Sequence, residues 1–285
     1  RDARIFKKDT VVTPCFYIEN YFEDNYTPEE AVESIVKLYT DTTTSNPDFN
    51  FNSTDDFFNY DLMKPKLYLC VINKENNVER LKDSIYEDFG DLAIVLKIYL
   101  ESRKDGSIGS ITVNNQMFDS WNVTKENVIK DAALNTKAMF GLSIRPILDM
   151  MIEIYRNRFG IEPPAEVLPP VDESGVKMYV ITNSKYIGGA VYLSDKACLL
   201  TIANQINCKE YYIIPSSIHE LIVVVPNESE DGEEFDQSTL LNMVTEVNET
   251  EVTPTEVLTD NIYKFNAETE ELISIKDGAL MKFVY

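Results

Sequence analysis

The sequence predicts an α+β protein of mostly antiparallel sheets packed against helices, arranged in two lobes. Three observations carry this. Strand-like runs follow one another across tight turns instead of alternating regularly with helices, which disfavours a doubly wound parallel sheet. Helical stretches with recognisable start signals stand between those strand groups. A proline-rich stretch, 160–175 (GIEPPAEVLPPVDESG), interrupts the pattern and reads as a linker or crossover. The expected organisation is an N-terminal α+β lobe over 1–159, the linker over 160–175, and a C-terminal α+β lobe over 176–285 that ends in a hairpin. The chain has 285 residues, of which 44% are apolar. That is enough to bury a core and excludes collagen-like or intrinsically disordered chains.

The elements can be justified in order. Residues 1–13 (RDARIFKKDTVVT) read as a strand closed by Pro14. Thr27-Pro28-Glu29-Glu30 combines a capping threonine, a proline at the first helical position and a glutamate three residues after the cap, so a helix runs from Pro28 to about Tyr39. A polar loop spans 41–54, and a short helix covers Asp55 to Leu62. KLYLCVI (66–72) is a strand rich in β-formers, ended by the turn-prone 73–77. DLAIVLKIYL (91–100) is apolar on both faces, as a central strand requires. Arg103 to Gly106 turns it back into SIGSITV (107–113). Thr124 opens a helix with Val128, Ile129, Ala132, Ala133, Met139 and Phe140 on one face. Pro146 to Arg158 forms another, whose Met/Ile stripe reads as core packing.

After the linker, 176–182 is a strand and Gly188-Gly189 a turn. Ser194 caps a helix from Asp195 to about Ile206. YYII (211–214) and LIVVV (221–225) are strands flanking PSSIHE (215–220). Ser217 and Glu220 have the spacing of a capping box, which would close a single helical turn there. Asp236 caps a helix through Val247, Thr253 to Glu256 repeats the capping signature, and Ile262–Phe265 with Leu272–Ile275 form the final hairpin.

Charge narrows the function classes. There are 26 Lys+Arg against 48 Asp+Glu, a formal net charge of −22. Residues 226–285 hold 15 acids and 3 bases. Nucleic-acid binding through phosphate contacts needs clustered Lys/Arg and is excluded, as is an anionic membrane surface. The acidic excess would suit a basic protein partner, or a surface that imitates DNA. No apolar run approaches 18 residues, so no membrane-spanning helix is expected. Cys15, Cys70, Cys198 and Cys208 form no C-x-x-C pair and are too few for a disulfide scaffold, which points to a reducing, cytoplasmic setting.

The motif search is mostly exclusion. The sequence has one histidine, so the paired-histidine zinc motif cannot form. It has no phosphate-binding glycine fingerprint, EF-hand loop or serine-nucleophile elbow, and no cofactor is implied. Ser216, Ser217, His219 and Glu220 are the remaining candidate catalytic residues: a nucleophile, a base and an orienting acid within five positions. Neighbours on one turn seldom aim at a common atom, however. Carboxylate groups at Glu87-Asp88 with Asp91, or at Asp55-Asp56, are the candidates for holding a divalent metal.

YYIIPSSIHELIVVVP, NMVTEVNETEVTPTEVLTDNIYKF and ETEELISI resemble an uncharacterised domain-of-unknown-function family of Clostridia-type gut bacteria. YLCVINKENNVERLKDSIYEDFGDLAIVLKIYL and IKDAALNT carry the same likeness upstream. The resemblance implies a bacterial, intracellular protein and supplies no activity; it directs attention to PSSIHE and to Asn135-Thr136. The expected function is binding of a protein or small ligand. The alternatives are a hydrolase or transferase using the His219 region or a carboxylate-bound divalent metal, and an acidic DNA-mimicking inhibitor.

Overall fold

The computed structural model describes residues 2–4, 15–17, 26–44, 54–102, 108–164, 176–226, 237–250, 252 and 256–285. The chain divides into two compact units, Arg1–Asn59 and Tyr60–Tyr285. In the first, β1 (Asp2–Arg4) pairs antiparallel with β2 (Cys15–Tyr17), Ala3 facing Phe16. The rest of the expected 1–13 strand lies outside the described residues. Helix α1 (Pro28–Thr44) begins with the predicted reciprocal cap. The Thr27 N–H donates to Glu30 Oε2 at 2.8 Å, and the Glu30 N–H donates to Thr27 Oγ1 at 3.3 Å. The helix runs five residues past the expected end at Tyr39, and Thr40 donates its hydroxyl back to the Val36 carbonyl. A 3-10 turn covers Thr54–Phe58.

The second unit contains two antiparallel sheets. The first is formed by β3 (Leu67–Asn73), β4 (Tyr86–Phe89), β5 (Leu92–Ser102) and β6 (Ile108–Thr112), preceded by the short helix α2 (Tyr60–Met63). Apolarity on both faces makes β5 central: Leu92 through Leu96 are fully buried. β3 lines one of its edges, while β4 and β6 share the other, Tyr86 facing Val95 and Lys97 facing Thr112. At the junction Leu96 donates to the Ile85 carbonyl and accepts from the Val113 N–H. The acidic, aromatic sequence of β4 masked its strand character. Between β3 and β4 the turn-prone 75–77 form a 3-10 turn that leads into the short helix α3 (Val78–Leu81). The predicted turn at 103–106 lies outside the described residues.

Two helices follow, α4 (Asn115–Ser120) and α5 (Lys125–Phe140), capped by the side chains of Asn114 and Thr124. α5 covers the free edge of β3, where an unpaired N–H would otherwise be stranded. Leu69 N–H donates to Thr136 Oγ1 at 2.9 Å, and Asn135 Nδ2 donates to the carbonyls of Lys64 and Leu67. Asn135-Thr136 therefore ties a helix to a sheet edge. Phe140 at the helix end meets Tyr68 and Tyr99 edge-on within a cluster that includes Cys70, Ile72 and Val95.

The six-stranded second sheet comprises β7 (Ser143–Pro146), β8 (Lys177–Thr182), β9 (Glu210–Ser217), β10 (Glu220–Val225), β11 (Tyr263–Asn266) and β12 (Glu271–Ser274), in the order β12-β11-β9-β10-β8-β7. Strand β7, which precedes 160–175, pairs with β8, which follows it, with Arg145 facing Val180. Between them α6 (Ile147–Phe159) ends at Gly160 in the left-handed conformation. Alternation splits the strands of the sheet between two cores. Tyr212, Ile214 and Val224 pack against Leu240 and Val244 of α8 (Gln237–Thr250). Tyr211, Ile213, Leu221, Val223 and Phe265 are fully buried on the opposite side, where Tyr211 donates its hydroxyl to the Leu199 carbonyl of α7 (Lys196–Ile206) at 2.7 Å. No helix among the described residues is long and apolar enough to cross a membrane.

Three expectations need correction. Asp195, not Ser194, caps α7: its Oδ1 accepts from the N–H groups of Ala197 and Cys198, while Ser194 donates to the Val191 carbonyl. Residues 189–194 are a buried 3-10 turn, which places the helix start one position later than periodicity suggested. The stripe on α6 is not core: none of its residues is buried, and Met151 is 39% exposed. Finally, 215–220 contain no helical turn. β9 continues through Pro215 to Ser217, and Ile218-His219 connects it directly to β10. A bulge at Glu220/Leu221 absorbs the irregularity and brings Leu221 opposite Pro215, which cannot donate to a ladder.

Candidate functional site

The β9–β10 hairpin carries all four candidate residues, but their side chains serve different neighbours. Ser217 Oγ accepts from the His219 N–H at 3.1 Å, a local turn bond and not a helix cap. Ser216 lies beside the Glu220 carboxylate and opposes part of the effect of its burial. His219 is held by the loop after β8. Its carbonyl accepts from Gly189 N–H at 3.0 Å and Thr182 Oγ1 at 2.9 Å, and its Nδ1 accepts from Gly188 N–H at 3.3 Å. Gly188 can donate there because it occupies φ +65°. Gly189 is required for the close approach: a Cβ would lie 2.6 Å from the His219 carbonyl oxygen and 2.9 Å from Thr182 Cα.

With Nδ1 accepting, the neutral imidazole carries its proton on Nε2, which lies 3.8 Å from Glu256 Oε1. Nδ1 is thus engaged and Nε2 carries the proton, so the neutral ring has no free lone pair in this arrangement. Burial holds the imidazole below its usual pKa; Glu256 pulls the other way and Lys97 adds slightly to the lowering.

Glu220 points elsewhere. It lines an open groove of about 340 Å³ together with Arg145 at the end of β7, Met150, Glu153, Ile154 and Asn157 of α6, and Tyr186 of the loop after β8. The helix contributes positions i, i+3, i+4 and i+7, which share one face. Arg145 is paired with Glu153 at 2.5 Å, and Tyr186 stands beside it. Tyr186 is 50% exposed and sits at φ +55°, unusual for an aromatic residue. Its loop is locked by Asn183, which is buried: Oδ1 accepts from the N–H groups of Lys185 and Ile187, and Nδ2 donates to the Ile187 carbonyl at 2.7 Å. Burial raises the Glu220 carboxyl above the ordinary range, with the Ser216 hydroxyl opposing. Among the described residues no Lys, Arg or His stands within ion-pair distance of it.

The groove residues apart from Glu220 escaped sequence reasoning. The spacing of Met150, Glu153, Ile154 and Asn157 marked a common face, but nothing in the chain announced that it would meet Tyr186 and Glu220. The carboxylates of Glu87, Asp88 and Asp91 are otherwise committed. Glu87 pairs with Lys125 at 3.0 Å, Asp88 with Lys74, and Asp91 accepts from the hydroxyls of Tyr263 and Thr259. Among the described residues no group of three or more His, Cys, Asp or Glu side chains is placed to hold a metal ion.

A second buried polar cluster lies at the start of α7. Asp195, 1% exposed, receives Lys137 Nζ at 2.5 Å and the Cys198 thiol at 3.1 Å on the same Oδ2. Burial and then the Asp195 charge push the thiol well above its usual range, in keeping with its donation to Asp195 Oδ2.

The profile of a family of unknown function, DUF5688, matches residues 3–267. No curated protein and no solved structure matches the chain.

Proposed function

The chain belongs to the DUF5688 family of unknown function, and from that premise we propose that it acts by binding, through the groove between α6, the Tyr186 loop and the β9–β10 hairpin. One observation carries the reading: the hairpin directs Glu220 into an open groove with apolar and aromatic walls, whereas His219 turns its Nδ1 to the Gly188 N–H and its Nε2 toward Glu256, neither of which lines that groove. A concave surface with apolar walls and a few oriented polar groups is how small ligands and protruding side chains are recognised. The catalytic alternative at His219 would need a free imidazole nitrogen facing a serine hydroxyl, whereas Nδ1 accepts from Gly188 N–H and the Ser217 hydroxyl accepts from the turn backbone.

A cytoplasmic location accompanies this reading, supported by Cys70 and Cys198 being free, buried thiols. The test is an amide NMR titration of the full chain with a mixture of small aromatic and aliphatic fragments. Binding at the groove shifts the resonances of Arg145, Ile154, Tyr186 and Glu220. Shifts confined to residues outside the groove, or centred on Gly188 and Glu256 around His219, would overturn it.

A further inference from the structure

We propose that the groove takes a ligand bearing one positively charged nitrogen, an alkylammonium or guanidinium, on a short apolar stem, with Glu220 as its counter-ion and Tyr186 as the surface against which the cation and stem lie. The inference deepens the binding reading above and rests on it.

The lining holds three charged side chains, Arg145, Glu153 and Glu220. Arg145 and Glu153 neutralise each other, which leaves Glu220 as the uncompensated charge. A carboxylate drawn partly out of water with only a serine hydroxyl for company is short of compensation. A cation restores it. An anion would meet the wrong sign, and a neutral ligand would bury the carboxylate further without pairing it. Met150 and Ile154 supply apolar wall, so the charge is best delivered on a hydrocarbon stem. Tyr186 offers a half-exposed ring on a loop that Asn183 and the Gly188–His219 contact hold rigid. An exposed aromatic ring attracts cations over its face. The volume, about 340 Å³, matches the lower end of small-ligand pockets.

The probes are hexylamine, hexanoate, 1-hexanol and the blocked peptide Ac-Gly-Gly-Lys-Gly-Gly-amide, each titrated by amide NMR against the full chain. The expected result is that hexylammonium shifts Ile154, Tyr186 and Glu220, that hexanoate and hexanol bind at least about tenfold more weakly, and that Glu220→Gln weakens hexylammonium at least about tenfold, the loss of one charge-assisted contact. Tyr186→Gly, which relieves the backbone while deleting the ring, weakens it about threefold and keeps the test valid should the Glu220 variant fold poorly. Peptide binding equal to that of hexylamine assigns the cation to a protein side chain; binding of hexylamine alone assigns it to a free amine. Equal or tighter binding of hexanoate or hexanol, or undiminished hexylammonium binding by both variants, overturns the charge assignment and leaves the groove standing as a binding site. No shift with any probe overturns both.

Discussion

Replacing Gly189 with alanine tests the contact that holds the candidate hairpin to the body of the sheet. The new Cβ would lie 2.6 Å from the His219 carbonyl oxygen and 2.9 Å from both Thr182 Cα and Oγ1. Two of these are backbone atoms, so the strain cannot be relieved by rotating a side chain. Overpacking of this kind costs about 1–3 kcal/mol. Moving the His219 carbonyl also endangers the two hydrogen bonds it accepts, from Gly189 N–H and Thr182 Oγ1, at about 1 kcal/mol each. The expected destabilisation is therefore about 3–5 kcal/mol, a fall in Tm of roughly 6–20 °C for a unit of this size. Gly188→Ala is the internal control. Its Cβ would meet only Cys70 Sγ, at an ordinary 3.6 Å, so the φ of +65° dominates and the loss is about 1–2 kcal/mol. Urea denaturation of both variants measures the difference. A second readout is the imidazole resonance of the single histidine, which should move toward an unperturbed titration in Gly189→Ala as the turn is displaced. The reasoning fails if Gly189→Ala lies within 1 kcal/mol of the parent, or is no less stable than Gly188→Ala.

Other outcomes follow from the same geometry. An NMR titration of His219 gives a pKa below 6.5, because burial lowers it, and Glu256→Gln lowers it further by removing the charge that favours protonation. A pKa at or above 6.5, or an upward shift in the variant, contradicts the arrangement. Since the folded value is depressed, the stability contributed by His219 is present above pH 6.5 and lost as pH falls through the folded pKa. Glu220 behaves in the opposite sense. Its folded pKa is raised from 4.5, so its contribution is present below pH 4.5 and lost as pH rises through the folded value. Glu220→Gln should then be as stable as the parent or more so at pH 7, with the advantage vanishing below pH 4; a marked loss at neutral pH in chemical denaturation counts against an uncompensated carboxylate. Asp195→Ala removes the acceptor for two helix N–H groups and should destabilise by about 1–3 kcal/mol. Lys137 is 40% exposed and rehydrates, which keeps the loss below that of a fully buried broken pair. A change under about 0.5 kcal/mol by urea melts would show that the cap is dispensable.

The chain's own pattern determined what depends on neighbours along it. The reciprocal cap at Thr27 and Glu30, the central character of 91–100, the helix face from Val128 to Phe140 and the closing hairpin all follow from local donors, acceptors and apolar spacing. These are satisfied within a few residues, so sequence alone displays them. The α+β class and its antiparallel strands follow for the same reason. Tertiary structure decided the rest, wherever two locally acceptable answers competed. Ser194 and Asp195 both make good caps, and only the buried 3-10 turn before α7 selected Asp195. Ser217 and Glu220 have capping-box spacing, yet pairing of Pro215 with Leu221 turned the segment into a strand and hairpin. The apolar stripe on α6 had the period of a core helix, yet no residue of that helix is fully buried. The groove joins Arg145, Ile154, Tyr186 and Glu220 across 76 positions of chain. Proximity over such a separation arises from sheet order, with β7 and β10 both flanking β8, and leaves no trace in local spacing.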